Sequence, residues 1–164
     1  MRNSLIILLL IIMGLENFSC VLLQNYNKLE PNELSYNIYC HINEWRKSSK
    51  KTIFIWNNQL AKLAQRYSLD MIERNYFSHI DPDKRSLQER FWCCGLDVRT
   101  WGENLARIPL SQCKPEIVLN AWLNSPSHLE ILEKEEYYFI GIGCSFSYKD
   151  DLCYITMIAT KKYK

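Results

Sequence analysis

The sequence lacks several features that would have settled its class at once. The net charge is only +2 and no long basic stripe runs through the chain, which leaves nucleic-acid binding without its electrostatic footprint. There is no internal repeat and no low-complexity segment, so neither a solenoid nor a disordered linker fits. No C-x-x-C spacing occurs, which argues against a structural zinc knot. No apolar run reaches the roughly 20 residues that a helix needs to cross a bilayer. What remains is a chain of 164 residues, 48% hydrophobic and 23% charged. That is the mixture of one globular domain with a sizeable core.

The N-terminus departs from that mixture. A short positive head, Met1-Arg2-Asn3, precedes an unbroken apolar run from Leu5 to Met13, which reads as the h-region of a signal peptide. Ser19-Cys20 then resembles the lipobox of bacterial lipoproteins, in which the cysteine is acylated and becomes the new N-terminus. Asn17 stands where leucine is usual there, and Phe18 where a small residue is usual. The expected organisation is a signal peptide over 1–19, a lipidated Cys20 with a tether over 20–32, and a domain over 33–164. Palmitate-type acyl chains contribute about 0.8 kcal/mol per buried methylene, enough for two or three to hold a protein at a membrane. The implied location is an outer membrane or cell surface. The alternative is ordinary cleavage, with Cys20 left as a thiol or disulfide partner.

Beyond Cys20 the cysteines are Cys40, Cys93, Cys94, Cys113, Cys144 and Cys153. An even number in an exported chain points to disulfides, whose pairing sequence cannot choose. Cys144 and Cys153 flank a turn signal and are the expected pair.

Pro31-Asn32 opens a first helix, with Asn32 as cap and Leu34, Ile38, Ile42 and Trp45 on one face. The basic run Arg46-Lys47-Ser48-Ser49-Lys50-Lys51 ends it and is expected to face solvent, where it suits the helix dipole. A second helix is expected over 58–74, its buried stripe formed by Leu60, Leu63, Ala64, Tyr67 and Met71. Ser86-Leu87-Gln88-Glu89 is a capping box starting a third, and residues 95–107 read as extended or irregular. Pro115 starts a fourth helix. Ser125-Pro126 starts a fifth, with proline at the position where its missing N–H costs nothing. Phe139–Phe146 and Cys153–Ile158 read as an antiparallel hairpin. Helices followed by a terminal hairpin give an α+β class. The tryptophans are expected in the core.

Histidine is the side chain best suited to ligate metal or move protons near neutral pH. His41 reads as a surface residue on the first helix. His79 follows a buried helix, and His128 lies in the first turn of the fifth, where the dipole favours neutral imidazole. Between them Glu103 is an acid in a stretch of low charge.

At these residues the sequence resembles the CAP superfamily of cysteine-rich secretory, antigen 5 and pathogenesis-related 1 proteins, in the short form of its bacterial SCP-like branch. The matching pieces, in order, are Ile42-Asn43-x-x-Arg46, Trp56-Asn57-x-x-Leu60-Ala61, Phe77-Ser78-His79, Gly102-Glu103-Asn104-Leu105-Ala106, Ala121-Trp122-x-Asn124-Ser125-Pro126-Ser127-His128 and Gly141-Ile142-Gly143. The resemblance implies a three-layer α-β-α sandwich with a central antiparallel sheet. It also implies a cleft of two histidines and two acids, often able to hold a divalent metal. His79 and His128 match the histidines and Glu103 one acid, while Ser125 occupies the place of the second. Zinc or another divalent ion on His79, Glu103 and His128, with water in the fourth position, is the expected ligand set. The competing reading is a buried polar trio that specifies the fold and binds nothing.

These residues lead to a non-enzymatic binding module shown on a membrane surface, with lipid or sterol, glycan or host protein as ligand classes and no nucleic acid. The alternative is a metal-dependent hydrolase using His79, Glu103 and His128. A serine protease reading is weaker, because Ser78 and Ser127 adjoin histidines in sequence but no nucleophile elbow or oxyanion motif appears.

Overall fold

Proline fixes φ near the helical value and lacks the N–H that a first turn leaves unpaired. Helix α1 accordingly begins at Pro31 itself and runs Pro31–Ser48, so Asn32 lies inside the first turn instead of capping it. The computed structural model describes residues 30–161. The expected signal peptide, Cys20 and most of the expected tether fall outside them. The remaining elements are β1 (Ile55–Trp56), α2 (Asn58–Glu73), α3 (Leu87–Cys93), β2 (Trp101–Pro109), α4 (Pro115–Leu123), α5 (Pro126–Glu133), β3 (Phe139–Ser147) and β4 (Leu152–Thr160). None of the described helices is long and apolar enough to cross a membrane.

The four strands form one sheet in the order β1-β3-β4-β2. The three long strands are antiparallel, and the two-residue β1 adds to β3 in parallel, which makes the sheet mixed. Helices cover both faces. Helix α2 lies across β3 and β4 on one face, while α1, α4 and α5 pack on the other. This is the α+β three-layer arrangement that the resemblance implies.

Helix α2 explains much of the geometry. Asn57 caps it, its side chain accepting from the N–H groups of Gln59 and Leu60 at 2.9 and 3.1 Å. Its stripe of Leu60, Leu63, Ala64, Tyr67 and Met71 is buried. Gly141 and Gly143 on β3 let it lie flush on the sheet. A Cβ at Gly143 would sit 2.0 Å from the Gln65 backbone nitrogen, and one at Gly141 would sit 2.2 Å from that of Ala61. The approach is then locked by Ser68 Oγ, which donates to the Gly143 carbonyl at 2.9 Å.

Two residues of the first matching motif turn out to be structural. The Asn43 side chain accepts from the Phe54 N–H at 2.9 Å and donates to its carbonyl at 3.0 Å, imitating a neighbouring strand beside β1. Arg46 does not face solvent with the other basic residues. It is fully buried, donates from Nε to Thr52 O at 2.6 Å and from Nη1 to Leu132 O, and lies over the Phe54 ring. One guanidinium thereby joins α1, the chain before β1 and the end of α5.

The disulfide also differs from expectation. In the hairpin register Cys144 sits opposite Ile155 and Cys153 opposite Phe146. Cys144 and Cys153 are therefore diagonal neighbours, about 7–8 Å apart in such sheets and too far to bridge comfortably. Cys153 is bonded instead to Cys113, just past the end of β2, with the two Cα atoms 6.4 Å apart. Cys144 is a buried free thiol, and burial pushes it up to about 12 against the opposing hydrogen bond of Ser35.

Candidate functional site

Strand β2 is an edge strand, and Glu103 lies near its start. Its side chain is only 2% exposed, a position that a carboxylate occupies only when fully partnered. Both oxygens are taken. Arg90 Nη2 donates to Oε2 at 2.8 Å and Oε1 at 3.1 Å, and His79 Nδ1 lies 2.8 Å from Oε1. The same Arg90 nitrogen reaches His79 O at 3.2 Å, and its guanidinium stacks 3.3 Å above the Tyr67 ring. Tyr67 in turn donates to Ser78 O at 2.6 Å, which ties down the loop carrying His79. Burial holds the Tyr67 hydroxyl up at about 12, with Arg90 opposing.

The structure thus joins His79 and Glu103 directly. The His79 ring is 55% exposed, and with Nδ1 on the carboxylate its other nitrogen, Nε2, is the one left for a ligand. His128 forms no hydrogen bond to either residue. It is half-buried on α5, near enough to His79 that its pKa is lowered, by burial first and by the His79 charge second. Neutral imidazole at this position was expected from the helix dipole; here burial is the larger cause. The backbone carbonyl of His128 accepts from Asn104 Nδ2 at 3.1 Å, fixing α5 to β2.

Arg90 was not singled out in the sequence, and Tyr67 only as part of a buried stripe, although one signal for Arg90 was present. From Leu87, the positions three and four residues on are Arg90 and Phe91, so an arginine stands on the apolar stripe of α3. A cation there implies a buried anion. Trp92 is the opposite surprise, since it is 62% exposed.

A divalent ion does not fit the expected three-ligand set. The guanidinium already neutralises Glu103, and a cation placed on that carboxylate would have to displace it. Among the described residues, no three His, Cys, Asp or Glu side chains are grouped to hold a metal. Nor is either neighbouring serine paired with an imidazole. Ser78 Oγ accepts from the Ile80 N–H, and Ser127 Oγ lies 3.5 Å from Ser125 Oγ.

Beside the His79–Glu103 pair opens a cavity of about 320 Å³, with Ile80, Leu87, Trp101, Ile131 and Tyr137 among its walls. Gly102 keeps it open, since a Cβ there would lie 2.8 Å from Ile131. An apolar chamber with one imidazole–carboxylate end can hold an amphiphile and present it a hydrogen-bonding group.

The sequence pattern of the cysteine-rich secretory protein family, CAP, matches residues 40–158. The chain belongs to the CAP family. Its CAP domain is 34% identical over 100 residues to the uncharacterized protein YkwD of Bacillus subtilis, a match covering 61% of this chain and 37% of that one. The chain thus spans well under half the length of that relative. Among solved structures, it resembles an extracellular protein containing an SCP domain from Bacillus anthracis, with 26% identity and a TM-score of 0.71 over 80% of this chain and 41% of the other. It also resembles an outer surface protein from Borrelia burgdorferi, with 24% identity and a TM-score of 0.73 over 82% and 97% of the two chains. This second likeness extends over nearly the whole of its counterpart, and so shows a CAP fold of similar size.

Proposed function

We infer that the protein is an exported, non-enzymatic binding module held at a membrane surface by a lipid on Cys20, whose CAP domain takes up a lipid with a hydrogen-bonding head. The observation that supports this most is the state of Glu103. A carboxylate with both oxygens held by Arg90 and His79 is a poor general base and a poor metal ligand. No serine oxygen stands ready beside a histidine in its place. What the site does offer is an apolar chamber with the His79–Glu103 pair at one end, which favours a fatty acid or sterol over a glycan. Export is supported by the leader-like segment ahead of Cys20 and by the extracellular SCP-domain protein among the structural relatives.

The test combines binding and turnover on one preparation. A fluorescent fatty acid should bind the wild type, and Gly102→Leu, which fills the chamber, should weaken binding by about tenfold or more while the fold is retained. Peptidase and esterase substrates, with and without added zinc, should show no turnover that co-purifies with the protein. Turnover lost in His79→Ala would revive the hydrolase reading, and absent lipid binding would remove the ligand class.

A further inference from the structure

Helix α3 ends in Cys93 and Cys94, and both thiols are free and exposed. The end is rigid. Gly95 adopts φ +70, its N–H bonds Trp92 O, and the Leu96 N–H bonds Phe91 O, the pair of reversed bonds that closes a helix on a left-handed residue. Adjacent residues of a helix end point in different directions, so the two sulfurs cannot bond each other without unwinding the last turn. Elsewhere the same chain carries the Cys113–Cys153 disulfide, which belongs to an oxidising compartment. Two exposed thiols in such surroundings need an account.

Both line a cavity of about 250 Å³ that is separate from the chamber beside Glu103. Three arginines, Arg66, Arg85 and Arg90, line it against two acids, Asp70 and Asp81. The acids are engaged, and so are two of the arginines, Arg85 on Asp81 and Asp83 and Arg90 on Glu103, which leaves Arg66 as the cation open to a ligand. Asp81 Oδ2 takes Arg85 Nε at 2.8 Å, and Asp70 takes the Tyr76 hydroxyl at 2.5 Å and Arg74 at 3.6 Å. Arg66 is exposed and bonds no acid among the described residues. Arg90 is only 6% exposed, and while its Nη2 serves Glu103, its Nε and Nη1 form no hydrogen bond among the described residues. Buried donors without an acceptor are rare in proteins, and here they keep part of the guanidinium charge close behind the cavity wall.

We propose that Cys93 and Cys94 form a thiol-exchange site for a small, carboxylate-bearing disulfide, which the arginine-lined cavity holds while one of the two sulfurs reacts. The step balances without a further reagent. A cysteine thiolate attacks one sulfur of R–S–S–R, a protein–S–S–R bond forms as the original S–S bond breaks, and R–S⁻ leaves with the electron pair and takes up the proton that the cysteine lost. The protein sulfur is oxidised and the departing thiol reduced. Cys144 is fully buried and Cys40 half-buried, so Cys93 and Cys94 are the most accessible free thiols among the described residues.

The experiment uses the full chain and three probes: dithiodiglycolate as anion, 2-hydroxyethyl disulfide as neutral control and cystamine as cation. Each rate is divided by that of the same chain unfolded in urea, which cancels intrinsic reactivity, and adducts are located by peptide mass spectrometry. The normalised rate for the anion should exceed that for the neutral probe by about fivefold, with cystamine slowest. Adducts should map to Cys93 or Cys94, and Arg66→Gln, a change of an exposed side chain, should shrink the preference. Equal normalised rates, adducts mainly on Cys40, an unchanged preference in Arg66→Gln, or disulfide-linked dimers outpacing adducts would each overturn the proposal.

Discussion

His128 is half-buried and feels the charge of His79, and both effects hold its pKa below the ordinary histidine value of 6.5. The unfolded chain therefore takes up a proton at a pH where the folded chain refuses it. Stability contributed by the neutral ring is complete above 6.5 and is lost as pH falls from there through the lower folded value. Urea midpoints measured above and below that range should fall on acidification, and the fall should be smaller in His128→Gln; an identical fall in both would show that other groups govern the acid side. At this scale the candidate site was half legible. Histidines beside family motifs stood out because His79 and Glu103 carry chemistry in plain view. Arg90 did not, because a buried guanidinium looks in sequence like any helix-surface cation. Its role follows only from which carboxylate the fold brings 2.8 Å away.

Among the elements, α2 and β3 depend on each other most tightly. Their backbones approach where Gly141 and Gly143 carry no Cβ, and a methyl at either would strike the main chain of the helix, which cannot rotate away as a side chain could. Gly143→Ala should lower stability by about 3 kcal/mol or more, read as a drop in urea midpoint. A change within about 0.5 kcal/mol would mean that the helix lifts off freely. Most element boundaries were legible for local reasons. The period of Leu60, Leu63, Ala64, Tyr67 and Met71 announces α2, Ser86 and Glu89 announce α3, and both halves of the hairpin are β-rich. Strand β2 was legible only as extended or irregular chain, because Trp101–Pro109 contains Gly102, Glu103 and Asn104, poor strand formers that the cleft requires. The disulfide was missed because pairing across a hairpin is set by register, and a turn signal alone does not fix register.

At the scale of the whole molecule, the α+β class was legible because helices precede a terminal hairpin, while the parallel addition of β1 was not, since two residues are too few to show a period. The membrane attachment proposed for the chain rests on residues before the domain, so it is separable from everything the fold does. Cys20→Ala should move the protein from the membrane fraction to the soluble fraction and abolish labelling with a fatty-acid analogue, leaving the domain's urea midpoint unchanged. Persistent labelling would place the acyl group elsewhere, and persistent membrane partitioning without label would point to an uncleaved leader. Free in solution, such a molecule would depend on a small safeguard. Strand β1 lies at the margin of the sheet, with Ile53 just before it and Ile55 within it both exposed, and the Asn43 amide occupies both main-chain groups of Phe54 that would otherwise greet a passing strand. That carboxamide, with the Tyr39 hydroxyl 3.2 Å from the same carbonyl, thus blunts this margin against edge-to-edge pairing, the first step toward fibrils.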